Sequence, residues 1–155
     1  MEAEREGFPA VAFSADGNST AQISYTTLAS DPNSNLTTSA EIYSHLTTKF
    51  LAALLSGGLD GAVPKGTILN VNYPGTVHCH TVDSFKFVFT RMNEDSTVKD
   101  ITTCGSDHLP SENKVIGSGC YVSVSVTNAT NKADVGATTQ AVVLDRLQSF
   151  FSCLP

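Results

Sequence analysis

The stretch Lys65-Gly66-Thr67-Ile68-Leu69-Asn70-Val71-Asn72-Tyr73-Pro74, KGTILNVNYP, reads as a strand that is apolar nearly throughout and stops at a proline. A short, continuous apolar run bounded by glycine and proline fits a strand covered on both faces, as in a parallel sheet. The two asparagines break that pattern, because asparagine is depleted in strands. A buried amide without partners costs about 1–3 kcal/mol. Being two residues apart, Asn70 and Asn72 project from the same face. Near the carboxyl end of a strand they can order the floor of a ligand crevice, since ligands gather beyond those ends in open α/β sheets. A purely architectural role, satisfying loop carbonyls and N–H groups, fits them equally well.

On the amino-terminal side, MEAERE (1–6) consists of good helix formers, Gly7 suits a helix end and Pro9 prevents continuation. AVAFS (10–14) then forms a short apolar strand, with Ser14 at its carboxyl end, the place equivalent to Asn72. A helix passing through glycine into a strand suggests half of a βαβ unit whose first strand lies upstream. Residues 15–37 carry DG, DP and NSN turn signals and are expected to form a long surface loop. Thr38-Ser39-Ala40-Glu41 reads as a capping box. The helix it opens places Ile42, Leu46, Phe50 and Leu54 at steps of four and ends at Gly57-Gly58. Strand, helix and strand in this order predict a parallel sheet.

Beyond Pro74 the pattern becomes alternating. FKFVFTR (85–91) and VKDITTC (98–104), separated by the turn NEDS, predict a hairpin with one aromatic face. YVSVSV (121–126) is a further strand, and the stretch from about Ala137 to Ser152 is an amphipathic helix. A helix running back along the strand that starts at Cys120 would return Cys153 to it. The hairpin would bring Cys104 beside the segment that follows Cys79. The expected bridges are therefore Cys79–Cys104 and Cys120–Cys153, one of three possible connectivities. Each would contribute roughly 3–4 kcal/mol in the chain-entropy model.

The 155 residues suit one domain, and 41% hydrophobic with 15% charged residues argues for a packed core over disorder. A net charge of −6 without any run of Lys or Arg excludes general attraction to nucleic acid or anionic lipid. No apolar run reaches membrane-spanning length. Four cysteines and the sequons at Asn18, Asn35 and Asn128 favour a secreted glycoprotein, with a signal peptide expected upstream of Met1.

His78-Cys79-His80 could offer alternating metal ligands, but a tetrahedral site needs more, and Asp107-His108 could join only through a long-range contact. The preferred reading is a bridged Cys79 between solvated histidines, so no metal site is assigned. Gly117-Ser118-Gly119-Cys120 precedes a strand and lacks the helix N-terminus of a phosphate loop. Asp83, Asp95 and Asp100 read as turn or solvated residues, and no catalytic residue is assigned.

Three blocks in order, G-F-P-A-V-A-F-S (7–14), P-K-G-T-I-L-N-V-N-Y-P (64–74) and G-C-Y-V-S-V-S-V (119–126), resemble the SurE-like phosphatase/nucleotidase family. That family shows G-x-P-A-[IL]-A-x-S, an L-N-[VI]-N-x-P strand and G-Y-V-S-[VI]-[ST]-[PV]. F-K-F-V-x-[ST]-R, T-T-C-G-S-x-x-L-P-[ST]-E and the C-L-P terminus are similar to its secreted fungal, acid-phosphatase-like branch. The resemblance implies an α/β fold: a partial Rossmann-like parallel sheet with helices, plus the β-hairpin and a C-terminal helix. It implies a metal-dependent phosphomonoester hydrolase of acid phosphatase or 5′(3′)-nucleotidase type, using Mg²⁺ or Mn²⁺.

The family's metal ligands, an N-D-D-G aspartate pair, a serine and an S-G-P-N-x-G-x-N asparagine, match no position here. Residues 1–155 are accordingly expected to be the carboxyl-terminal part of a single SurE-like domain, inactive alone and binding no metal. Ser14, Asn70 and Asn72 would line or support the crevice of the complete protein. A homodimer through the hairpin and C-terminal helix is also expected. The alternative is a non-catalytic secreted glycoprotein or dimerisation fragment.

Overall fold

Strands of period two and one long helix with steps of four meet on a single sheet in the computed structural model, which describes residues 2–16 and 23–155. A short helix α1 (Glu2–Arg5) leads into β1 (Val11–Ala15), followed by α2 (Tyr25–Ser30) and α3 (Asn35–Leu54). Then come β2 (Thr67–Tyr73), β3 (Lys86–Thr90), α4 (Glu112–Ile116), β4 (Tyr121–Asn128) and α5 (Ala137–Leu147). The sheet order is β1-β2-β4-β3. β1 runs parallel to β2 and β3 parallel to β4, while β2 and β4 are antiparallel.

The period-two pattern sorts β2 sharply. Thr67, Leu69, Val71 and Tyr73 are buried, whereas Ile68, Asn70 and Asn72 on the other face are half-buried. The first set meets α3, whose Ile42, Leu46, Phe50 and Leu54 are all buried as their spacing requires. Val122, Val124 and Val126 of β4 and Val143, Leu144 and Leu147 of α5 complete that core. Aromatic rings tie it across elements: Phe50 lies 5.8 Å from both Phe13 and Phe87, and Phe87 lies 4.6 Å from Phe150.

Several local expectations change. The loop 15–37 contains α2, and α3 starts three residues ahead of the Thr38 capping box, because Ser34 caps the Thr37 N–H at 3.2 Å. The hairpin does not form. Residues 98–104 make no strand, and β3 pairs with β4. Asp100 is the reason: it is buried, not solvated, and meets Arg91 at 3.0 Å. Its carboxylate also accepts from the Leu109 N–H and from Nε2 of Gln140 on α5. A buried pair held by this many partners outweighs the alternation that suggested pairing with β3.

The bridges are exchanged as well. They run Cys79–Cys120 and Cys104–Cys153, in place of Cys79–Cys104 and Cys120–Cys153. Parallel pairing of β3 with β4 explains the first, since the Lys86 N–H donates to the Cys120 carbonyl at 3.0 Å and sets Cys120 beside the segment entering β3. The second follows from the chain after α5, where the Ser152 N–H donates to the Phe87 carbonyl at 2.8 Å along the far edge of β3. A tight turn with positive φ at Cys104 (54°) and Gly105 (78°) turns Cys104 toward that tail.

Candidate functional site

The face of the sheet away from α3 is polar. Pairing sets Ser14 opposite Asn72 and Asn72 opposite Ser123 in one row, and Asn70 opposite Ser125 and Ser125 opposite Thr90 in the next. The Asn72 amide Nδ2 donates to Ser123 Oγ at 3.4 Å. Asn70 Nδ2 donates to Glu112 Oε1 at 2.8 Å, and the Ser125 hydroxyl donates to the same oxygen. Thr90 Oγ1, buried at the end of that row, has no partner among the described residues. Ser14 stands exposed on β1, so the structure brings it and Asn72 into one row and puts Asn70 in the neighbouring one.

Glu112 had escaped the reading of the residues. It opens α4 directly after Ser111, and α4 packs onto this face through the fully buried Val115. The signal was present in the segment L-P-S-E (109–112), where an acidic residue at a helix start is favoured; nothing local tells that the carboxylate reaches two strands.

At the carboxyl ends of β1 and β2 the backbone closes through the Asp16 N–H donating to the Tyr73 carbonyl at 3.1 Å. Tyr43 Oη donates to the Pro74 carbonyl at 3.0 Å, and Ser39 and Thr76 hydroxyls lie 2.6 Å apart. A cavity of about 180 Å³ opens here between the start of α3 and residues 76–80, lined by Asn35, Thr38, Ser39, Thr76 and His80. Tyr73, stacked between Phe13 and Tyr43, is pushed up to about 12 by burial, an effect the Thr47 hydrogen bond only reduces. Burial also raises Tyr43, with the Asp16 charge adding to it.

A hard divalent ion asks for six or more oxygens, usually including carboxylates. On the polar face the Glu112 carboxylate already accepts two hydrogen bonds on one oxygen. No group of three His, Cys, Asp or Glu residues suited to a metal occurs among the described residues. His78 and His80 are exposed on either side of the bridged Cys79. Asp107 meets Lys99 at 2.7 Å and His108 at 3.7 Å. These residues by themselves do not fit the Mg²⁺ or Mn²⁺ that the resemblance implies.

The family model described as survival protein SurE matches residues 1–99. The chain belongs to the SurE family. That match takes in β1, α3, β2 and β3, including both asparagines, and ends before β4 and α5. SurE proteins are phosphate-ester hydrolases of the phosphatase and nucleotidase kind and are generally metal-dependent. The mixed α/β architecture agrees with their Rossmann-like fold. No curated protein and no solved structure matches the chain.

Proposed function

We propose that the chain serves as the carboxyl-terminal part of a SurE-like, metal-dependent phosphomonoester hydrolase of acid phosphatase or 5′(3′)-nucleotidase type, and that it has no turnover by itself. The observation that carries this reading is the polar sheet face. Asn70 and Asn72 are fixed by hydrogen bonds to Glu112 and Ser123, Ser14 shares the Asn72 row, and the Glu112 carboxylate is already engaged. Such a face orients neighbouring loops; it lacks the charge to hold a divalent ion and a phosphate together. The metal, Mg²⁺ or Mn²⁺, would be held by carboxylates contributed from outside these residues. The substrate is a phosphomonoester or nucleotide, and nucleic-acid polymer is not a partner for a chain of net charge −6. No helix among the described residues is long and apolar enough to cross a membrane.

The second reading, a secreted non-catalytic glycoprotein or dimerisation fragment, draws on two disulfides and on sequon geometry. Asn35 is exposed at the start of α3. Asn128 is half-buried, with Oδ1 accepting from the Thr130 and Asn131 N–H groups while Nδ2, the glycan-bearing atom, forms no hydrogen bond among the described residues. Asn18 lies outside the described residues. Both readings place the protein outside the cell. Hydrolysis of p-nitrophenyl phosphate by the purified chain, with Mg²⁺ or Mn²⁺ and with chelator, tests both. We expect no turnover from folded chain, and activity once an upstream segment carrying the carboxylate pair is joined to it. Chelator-sensitive turnover by the chain alone would overturn the reading, and a joined protein that stays inactive would leave the non-catalytic one.

A further inference from the structure

A cavity of about 390 Å³ lies away from the polar face, outside β3. β3 and β1 are the two outer strands of the sheet. Three strand spacings, roughly 14 Å, therefore separate this edge from Ser14. The volume falls within that of small-molecule sites, roughly 300–1,000 Å³. Phe89, Leu109, Pro110, Phe151 and Leu154 form an apolar wall. The rings of Phe89 and Phe151 lie 5.1 Å apart, a pair that a third ring can extend.

The shape admits a compact molecule and no added strand. Along the outer edge of β3 the Phe87 carbonyl accepts from the Ser152 N–H at 2.8 Å. Further on, the Arg91 N–H donates to the Pro110 carbonyl at 3.1 Å. The segment after α5 is held in place by the Cys104–Cys153 bridge, and Cys104 itself belongs to the lining.

Charge decides what kind of molecule that is. The lining side chains that can carry charge are Glu94, Asp95, His108 and Lys114. Oδ1 of Asp95 accepts from the Thr97 hydroxyl at 2.6 Å and from the Thr97 N–H at 2.9 Å. These bonds hold its carboxyl below the usual carboxylate range, so it is ionised at neutral pH. Glu94 is exposed and forms no ion pair among the described residues. Lys114 lines the same cavity yet pairs with neither carboxylate. His108 Nδ1 donates to the Val98 carbonyl at 3.1 Å. Two carboxylates against one ammonium leave a negative bias, and the aromatic wall beside them suits a cation that carries a ring. We propose that this cavity binds a small aromatic amine, with its ring against Phe89 and Phe151 and its ammonium group beside Glu94 and Asp95.

Phenethylamine is the probe, and phenethyl alcohol is its neutral counterpart of nearly equal size. At about pH 8 the amine is an ammonium ion while histidine is ordinarily neutral. Titration of the amine into ¹⁵N-labelled, disulfide-intact chain should move the Ser96 and Leu109 amide resonances in a saturable way. The amine should bind about threefold more tightly than the alcohol at low salt, the scale of an exposed ion pair, and lose that advantage at high salt. Glu94→Gln combined with Asp95→Asn should remove the advantage while leaving alcohol binding in place. Lys114→Gln should act in the opposite direction and tighten the amine about twofold. Ser96→Trp, an exposed position in the lining, should block both ligands without altering the far-ultraviolet spectrum. Absence of any saturable shift up to millimolar amine would overturn the proposal, as would binding that persists unchanged in folded Ser96→Trp. Equal affinity for amine and alcohol at low salt, or weaker amine binding in Lys114→Gln, would overturn the ammonium assignment.

Discussion

Glu112 holds two strands through one oxygen, accepting from Asn70 of β2 and from Ser125 of β4. Replacing it with alanine leaves the half-buried Asn70 amide without its acceptor. We predict a loss of about 1–3 kcal/mol for Glu112→Ala in urea unfolding, with Glu112→Gln recovering most of it because a carbonyl oxygen remains. The presence of Asn70 and Asn72 on one face of β2 was legible from their spacing alone. Their partners were not, since Ser123 and Glu112 are 51 and 42 residues away. A second prediction concerns Tyr73. Its ordinary value is 10.0, and burial raises it to about 12 in the folded chain. The neutral phenol is therefore favoured by folding. The stability this contributes is complete below pH 10 and is lost as pH rises through about 12. Urea midpoints should be level up to pH 10 and fall between there and 12, and Tyr73→Phe should shallow that fall. An unchanged slope in Tyr73→Phe would exclude this residue as the source.

At the scale of elements, periodicity served well wherever a segment's partner was the core. α3 and β2 have their buried faces where the spacing put them. Alternation in β3 correctly marked a strand, and Phe85, Phe87 and Phe89 are buried. It could not name the neighbour, because β4 and residues 98–104 carry similar short patterns and the sum of the Asp100 interactions decided between them. The bridges follow from that choice. Non-reducing digestion and mass spectrometry should find peptides linking Cys79 to Cys120 and Cys104 to Cys153, and a Cys79–Cys104 peptide would contradict the parallel pairing of β3 with β4. Replacing both Cys104 and Cys153 with serine opens a loop of separation 49. In the chain-entropy model this removes at most about 4 kcal/mol, read as a lowered urea midpoint of oxidised protein.

For the whole molecule, the outer edge of β1 carries no strand among the described residues, and Phe8 just before it is 64% exposed. Open edges beside apolar side chains template association. We predict reversible, concentration-dependent self-association in sedimentation, weakened by Phe8→Asp; a chain that stays monomeric at all concentrations would rule this edge out as a contact. Of the surface expected to carry a homodimer, the hairpin and the C-terminal helix, the hairpin does not form while α5 does, and the β1 edge is a further candidate contact. What the sequence determined by itself was set by short-range physics: the amphipathic α3, the apolar β2 with its two amides on one side, the strand β4, and through the ordered blocks the SurE family. What only the tertiary structure decided was every pairing across long separations. The exchange of disulfide partners, the burial of Asp100 with Arg91, and the reach of Glu112 to Asn70 and Ser125 all depend on which segments become neighbours. That choice is made by the total of many weak contacts and a few buried polar ones, and no local window of residues contains that total.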